Sequence, residues 1–381
     1  MQTGIQGKKQ AKDRIFELLC VKHVLTRQDI ASELGLSMPT TLQNVTDLLE
    51  IGVLRECGSA ESNGGRKAQR LCLNGNAGWA IGVDIAVHHT EFAVMDLCGN
   101  VQGIRVIALP FQDDPEWYEK FRKALQQFLR DTAPAPLLGA GVSFPGTTDG
   151  SEILHSHIFG LAHMGLERFR RCIPCPAVFD NDANCACRAE SRTAQDSFVY
   201  LSLNETVGGA CMFNGNLVAG DTFHAGEIGH MILVPDGNRC YCGKEGCADA
   251  YLSPKALTAG AEPMEAFFDR VHAGDPTAML QWDSYLRYLA ILLTNLRMLY
   301  NTDLIIGGRV GGLIGPYMRQ LLDKAAQYDL FARDIDYIYP CACREHACVT
   351  GAAKFALSCF GCRALKEMKE GGEDDEASRD F

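Results

Sequence analysis

The sequence has no run of about eighteen apolar residues, so no membrane-spanning helix is expected. Its first stretch, MQTGIQGKKQAKDRIF, carries basic residues with no apolar segment behind them. A secretory signal is therefore not expected, and the chain is expected in the cytoplasm. A strong basic excess is also missing. Net charge is −11, which argues against a general nucleic-acid coat. The positive charge that exists lies early: residues 1–75 hold ten Lys/Arg against eight Asp/Glu. A mildly basic module thus precedes an acidic body. The composition, 47% hydrophobic and 22% charged over 381 residues, is that of a globular chain with room for two or three domains. The polar, acidic stretch KEMKEGGEDDEASRDF, residues 366–381, has nothing to bury and is expected to be disordered.

Cysteine is not scarce. There are 17, an odd number. Cys20, Cys98, Cys185 and Cys211 stand singly in apolar stretches and read as buried free thiols. In a reducing compartment, disulfides are not expected and clustered cysteines more often bind metal. One cluster is dense. HAGEIGHMILVPDGNRCYCGKEGCADAYLS places His230, Cys240, Cys242 and Cys247 within eighteen residues. Disulfide, metal site and coincidence are its three readings. CACREHAC, with Cys341, Cys343, His346 and Cys348, reads as free thiols before a C-terminal helix. CIPCP, with Cys172 and Cys175, precedes a strand rather than a helix N-terminus, so redox chemistry is not expected there.

From Ala11 to Leu73 the pattern predicts three helices and a hairpin. KDRIFELLCVKH spaces Ile15, Leu18 and Leu19 at helical intervals. Thr26 is a cap for a helix over 27–34, which Gly35 ends. Ser37 is a cap for the next helix, 38–50, stopped near Gly52. Two short helices joined by a tight glycine turn form a helix-turn-helix, whose second helix enters the major groove of DNA. Met38, Thr40, Thr41, Gln43 and Asn44 are its expected outward residues. Of these, Thr, Gln and Asn can read base edges, and Thr40 and Thr41 can instead hold phosphates. GVLREC and QRLCLN alternate as strands. The loop between them, with Gly64-Gly65-Arg66, is a wing that brings Arg66 and Lys67 to a phosphate backbone or minor groove.

After Asn76 strands and helices alternate. WAIGVDIAVHHTEFAVMDLCGNVQGIRVIAL predicts three consecutive strands. FVYLSLNETVGGACMFNGNLVAG repeats the strand–turn–strand unit, with Asn214-Gly215 as the hairpin signal. Two related halves imply two lobes and a cleft. AVFDNDANCACRAES is a strand running into a helix, which puts Asn181 and Asp182 where cleft ligands bind in α/β folds. DLIIGGRV predicts a buried strand followed by Gly307-Gly308 and a helix, suited to close approach of a ligand.

In order and spacing, GVSFPGTTDG, FDNDANCACRAE, AGEIGH, CYCGKEGCADAYLS and LIIGG resemble the ROK family of repressors, open reading frames and sugar kinases. The resemblance covers nearly the whole chain. It implies an α/β body of two ribonuclease-H-like lobes of the actin/hexokinase type. Like the repressor members, this chain adds an N-terminal winged helix with a Gly-Gly-Arg wing. The expected divisions are 1–75 for the winged helix, 76–182 and 183–365 for the lobes, and 366–381 for the tail. The resemblance further implies a structural zinc held by His230, Cys240, Cys242 and Cys247. Three thiolates and one imidazole make a closed tetrahedral set.

The same resemblance makes Asn181, Asp182, Glu227 and His230 sugar ligands, with Asp182 the general base if the chain were a kinase. The family's glutamate two residues past the last zinc cysteine is Asp249 here, one methylene shorter, and is a further sugar ligand. The phosphate loops depart from the kinase pattern. Asp84 of the D-x-G-G-T loop is kept, but Ala86, Val87, His88 and His89 occupy the loop. The second loop, NETVGGA, brings in Glu205. No ATP is therefore expected, and no catalytic residue. The expected function is a sugar-responsive transcriptional regulator, and its expected partners are operator DNA, a sugar or sugar phosphate, and further copies of the chain as a homodimer or homotetramer. The rival is an ATP-dependent sugar kinase with an appended DNA-binding domain.

Overall fold

The computed structural model describes residues 10–59, 68–132, 136–193, 195–331 and 335–361. The wing tip with Arg66 and Lys67, and the acidic stretch 366–381, lie outside the described residues. Local signals set the first elements. Helix α1, Ala11–Lys22, buries Ile15, Phe16 and Leu19. Helix α2, Arg27–Leu34, starts at a reciprocal cap in which Thr26 Oγ1 accepts from the Asp29 N–H and Asp29 accepts from the Thr26 N–H. Gly35 then takes a left-handed φ of 61° and ends it. Ser37 Oγ accepts from the Thr40 N–H to cap helix α3, Met38–Glu50. The expected hairpin forms from β2, Leu54–Ser59, and β3, Gln69–Leu73. A three-residue strand that was not expected, β1, Val24–Thr26, completes the sheet in the order β1-β3-β2.

The body has two five-stranded sheets with one topology. In the first, β4 (Trp79–Ile85), β5 (Thr90–Asp96) and β6 (Val101–Ile107) form an antiparallel meander. β7 (Leu137–Phe144) runs parallel to β4. The small strands β8 (Thr147–Thr148), β9 (Glu152–Ser156) and β10 (Leu161–Gly165) make a side sheet. β11 (Ala177–Asn181) then pairs parallel with β7. The second sheet repeats the plan with β12 (Phe198–Leu203), β13 (Val207–Phe213), β14 (Asn216–Leu217), β15 (Asp303–Gly307) and β16 (Ile338–Pro340). The strand orders, β11-β7-β4-β5-β6 and β14-β13-β12-β15-β16, place the first strand of each unit at the centre. This is the expected duplicated α/β body.

The helix over 347–361 goes back to the first sheet, although the sequence grouped it with the second lobe. A Cβ at Gly82 would lie 2.1 Å from the Val349 carbonyl oxygen, and one at Gly141 would lie 1.9 Å from that of Ala352. Glycine at both positions lets the helix backbone rest on β4 and β7. The helix also touches the segment after β11: a Cβ at Gly351 would lie 1.6 Å from the Cys185 carbonyl oxygen, and Lys354 Nζ donates to the Ala189 carbonyl at 2.7 Å. The same helix joins a third core. Ala353, Ala356 and Leu357 cluster with Ile15, Leu19, Ile30, Val45 and Leu48 of the N-terminal module, and with Ala80, Met95 and Leu138 of the first sheet. The module is packed onto the body through apolar surface rather than tethered by a free linker.

Candidate functional site

A cleft of about 770 Å³ opens between the two sheets. Asn181 and Asp182 reach it where β11 ends. Asn181 is the cap of the helix Asp182–Glu190: its Oδ1 accepts from the N–H groups of Ala183 and Asn184 at 2.9 and 3.2 Å. Its amide group donates to the Gly146 carbonyl at 3.0 Å. Asn181 therefore lines the cleft while tying two strand ends together. Burial pushes the Asp182 carboxyl up to about 6, and the charge of Glu227 adds to the rise. Glu227 precedes the short turn Ile228–His230 and faces the same cleft. Burial raises its carboxyl, against the pull of His224 and His155.

His230 joins the cleft to the cysteine cluster. Its Nδ1 lies 3.8 Å from Cys240 Sγ, and Cys242 Sγ lies 3.7 Å from Cys247 Sγ. One ligand atom from each of His230, Cys240, Cys242 and Cys247 falls within 4.8 Å of all the others. A tetrahedral ion with bonds of about 2.3 Å to sulfur needs donor separations of roughly 3.8 Å. The donor set and spacing therefore fit a tetrahedral metal ion. Tight turns make the fit: Gly243 and Gly246 have φ of 89° and 81°, and a Cβ at Gly246 would lie 1.8 Å from the Val234 carbonyl oxygen. The other ring nitrogen, Nε2, faces Tyr241 Oη at 3.2 Å, on the cleft side.

Asp249 does not line the cleft. It is buried, and its carboxylate accepts from the Val207 N–H at 2.7 Å. This hydrogen bond braces the start of β13. His155, His157 and Tyr241 line the cleft instead, and sequence reasoning passed them over. The His157 ring centre lies 5.1 Å from Tyr241 and 6.3 Å from His230. The repeated histidine in LHSHIFG was the available signal.

The segment after β4 is occupied by side chains. His89 Nε2 and His346 Nδ1 each lie 3.0 Å from a different oxygen of the buried Glu91 carboxylate. Asp84 is buried and accepts from Ser143 Oγ at 2.5 Å. Burial pushes its carboxyl up to about 7, helped by the charges of Glu91 and Asp182. Glu205 is not the bare charge the sequence suggested. Arg309, just past Gly307-Gly308, pairs with it at 3.0 Å and with Glu265 at 3.4 Å. In CACREHAC, Glu190 accepts from the N–H groups of Ala342 and Cys343. Cys341, Cys343 and Cys348, like Cys172 and Cys175, form no disulfide.

Asp84 supplies a stability test. Its folded pKa lies above the ordinary carboxylate value, so the folded state holds its proton more tightly. Asp84's contribution to stability should therefore fall as pH rises from about 4 to about 7. Asp84→Asn keeps an acceptor for Ser143 and removes that dependence. The variant is expected to gain up to a few kcal/mol at pH 8 and less than half of that at pH 5. Urea unfolding at both pH values checks this, and equal effects at the two would contradict it.

On α3, Met38, Thr40 and Gln43 are exposed and Asn44 is half-buried. Thr41 is fully buried, and its Oγ1 donates to the Ser37 carbonyl at 3.1 Å. Its expected outward role is corrected: Thr41 shares the inner face with Val45 and Leu48. Leu42 points outward instead and is 45% exposed.

Residues 80–358 match the model of the ROK family. The chain is similar to the xylose repressor of Bacillus spizizenii, 25% identical over 312 residues, which cover 77% of this chain and 81% of that one. It is also similar to an N-acetylmannosamine kinase of Escherichia fergusonii, 27% identical over 245 residues, covering 61% of this chain and 83% of that one. Its fold is that of a solved ROK family transcriptional regulator, a homologue of the Escherichia coli MLC protein. That likeness has a TM-score of 0.77 at 20% identity and covers 94% of this chain and 98% of that one. With the family model spanning the duplicated body and its cleft, the chain belongs to the ROK family.

Proposed function

We propose that this chain is a sugar-responsive transcriptional regulator that represses carbohydrate-use genes. The observation that carries this is the shared core of the N-terminal module, the first sheet and the helix 347–361. Sugar enters the cleft and the lobes close on it. The first sheet and the helix resting on it then shift the module against its operator. Such a shift requires the sugar to bind one lobe arrangement better than the other. Two operator half-sites call for a homodimer or homotetramer. The divisions that suit this action are 1–75 for DNA, 76–182 with 347–361 for the first lobe, and 183–346 for the second. Met38, Thr40, Gln43 and Asn44 of α3, with Arg66 and Lys67 of the wing, meet the DNA.

In the cleft, Asp182 and Glu227 accept hydrogen bonds from sugar hydroxyls, and His230 contributes the ring edge facing Tyr241. Asn181 holds the strand ends that position Asp182. His230, Cys240, Cys242 and Cys247 hold a structural zinc, which fixes the ring and its tautomer from behind. A thermal-shift screen of sugars and sugar phosphates tests the site. A true ligand at a hundred times its Kd stabilises the folded chain by about 2.7 kcal/mol. No shift with any sugar would remove the sensor role.

The rival is a sugar kinase, favoured by the poised carboxyl of Asp182 and by the kinase relative. Against it stand the Glu91 carboxylate with His89 and His346 after β4, and the Glu205–Arg309 pair at the second loop. Ala86, Val87, His88 and His89 after β4 offer no glycine at which a backbone N–H could closely approach phosphate. ADP release across a panel of aldoses is expected to stay at background. Turnover of about 1 s⁻¹, ordinary for an enzyme, would establish the kinase.

A further inference from the structure

The outward face of α3 carries two large apolar side chains. Met38 is 43% exposed and Leu42 is 45% exposed. They sit one turn apart on the same face. The polar neighbours are engaged within the helix: Gln43 donates to Asp47 Oδ1 and Asn44 to the Thr40 carbonyl, each at 2.7 Å. The first turn of α3 carries no acidic residue, and Ser37 caps it. The positive end of the helix is thus free of a carboxylate that would repel phosphate. An apolar patch beside that end, on the second helix of a helix-turn-helix, suits the floor of a major groove lined by phosphates.

We propose that Met38 and Leu42 form an apolar reading patch for the C5-methyl groups of thymines in the operator. This rests on the DNA-binding function proposed above and adds the chemistry of what is read. Thymine is the one base that shows a methyl group in the major groove, and apolar side chains recognise it by contact. Four residues of helix rise about 6 Å. That is close to two base steps of about 3.4 Å, so the sensitive thymines should lie within about two steps of each other in each half-site. Gln43 and Asn44 then contribute less to base choice than their chemistry alone suggests.

The test uses the full chain and duplexes enriched from a random library by its own binding. Single thymines are replaced by deoxyuridine, which removes only the methyl group. Replacement at one or two neighbouring positions per half-site should weaken binding about three- to tenfold, the scale of one buried methyl group. Leu42→Ala should lose that sensitivity at one of those positions, and Leu42→Met should keep it. Leu42 is exposed enough that both variants should unfold at the wild-type midpoint. Enriched duplexes that tolerate every deoxyuridine would overturn the proposal while leaving DNA binding intact. So would a Leu42→Ala protein with unchanged methyl sensitivity, or one that loses self-association without DNA. If no duplex is enriched at all, the DNA-binding function fails and this proposal with it.

Discussion

Cys242→Ser is expected to remove the metal and the sugar response together. Protein purified without added metal should carry about one zinc per chain, and the variant almost none. Cys242 and Cys247 sulfurs lie 3.7 Å apart and the His230 ring nitrogen lies 3.8 Å from Cys240. Removing one donor opens the set that ties His230 to the loop holding Cys240, Cys242 and Cys247. The body keeps its own apolar cores, so the chain should stay folded. Structural zinc in small peptides supplies about 10–16 kcal/mol of apparent binding energy. In this larger body the loss should stay local, lowering stability by a few kcal/mol. His230 would lose the partner behind its ring, and its cleft edge would no longer be held. Elemental analysis and a sugar titration check both halves. Wild-type protein that is folded, sugar-competent and free of metal would contradict the assignment.

Asp182→Asn is expected to blunt the sugar response and to leave operator binding alone. The amide keeps one acceptor oxygen, turns the other into a donor and removes the charge. Losing a hydrogen bond to a charged group costs about 1.5–3 kcal/mol, so sugar affinity should fall roughly 10- to 150-fold. The Asp182 carboxyl is raised to about 6, so wild-type sugar affinity should weaken as pH falls through that value. The charged acceptor is lost there, and the Asn variant should be flatter over the same range. Arg66→Ala should do the reverse, weakening operator binding while sugar affinity stays. Isothermal titration and DNA-binding curves for both variants separate the two roles. An Asp182→Asn protein with lost operator binding and unchanged sugar affinity would contradict the account.

The bounds of α2 and α3 were legible in the sequence because caps are local. Thr26, Gly35 and Ser37 act within three or four residues of the ends they set. The duplicated sheets were legible through alternation and the Asn214-Gly215 turn. The outward face of α3 was less so. Thr41, Val45 and Leu48 follow one helical stripe, but the polarity of Thr41 and the apolarity of Leu42 pointed the other way, and packing decided. The His and Cys cluster was legible because its four members are close in sequence. Other site features depend on partners far along the chain. Glu205 meets Arg309, Glu91 meets His346, and Asp249 braces Val207. No local pattern announces such pairs. The return of the helix 347–361 to β4 and β7 rests on Gly82 and Gly141, which in the sequence look like ordinary strand glycines.

The most direct measurement follows one labelled duplex, enriched by the full chain, while a sugar identified by thermal shift is added without ATP. The account predicts a saturable, reversible release of the duplex, with the sugar recovered chemically unchanged and the dose curve displaced at least tenfold in Asp182→Asn. A duplex that stays bound at saturating sugar, with the sugar phosphorylated once ATP is supplied, would contradict it.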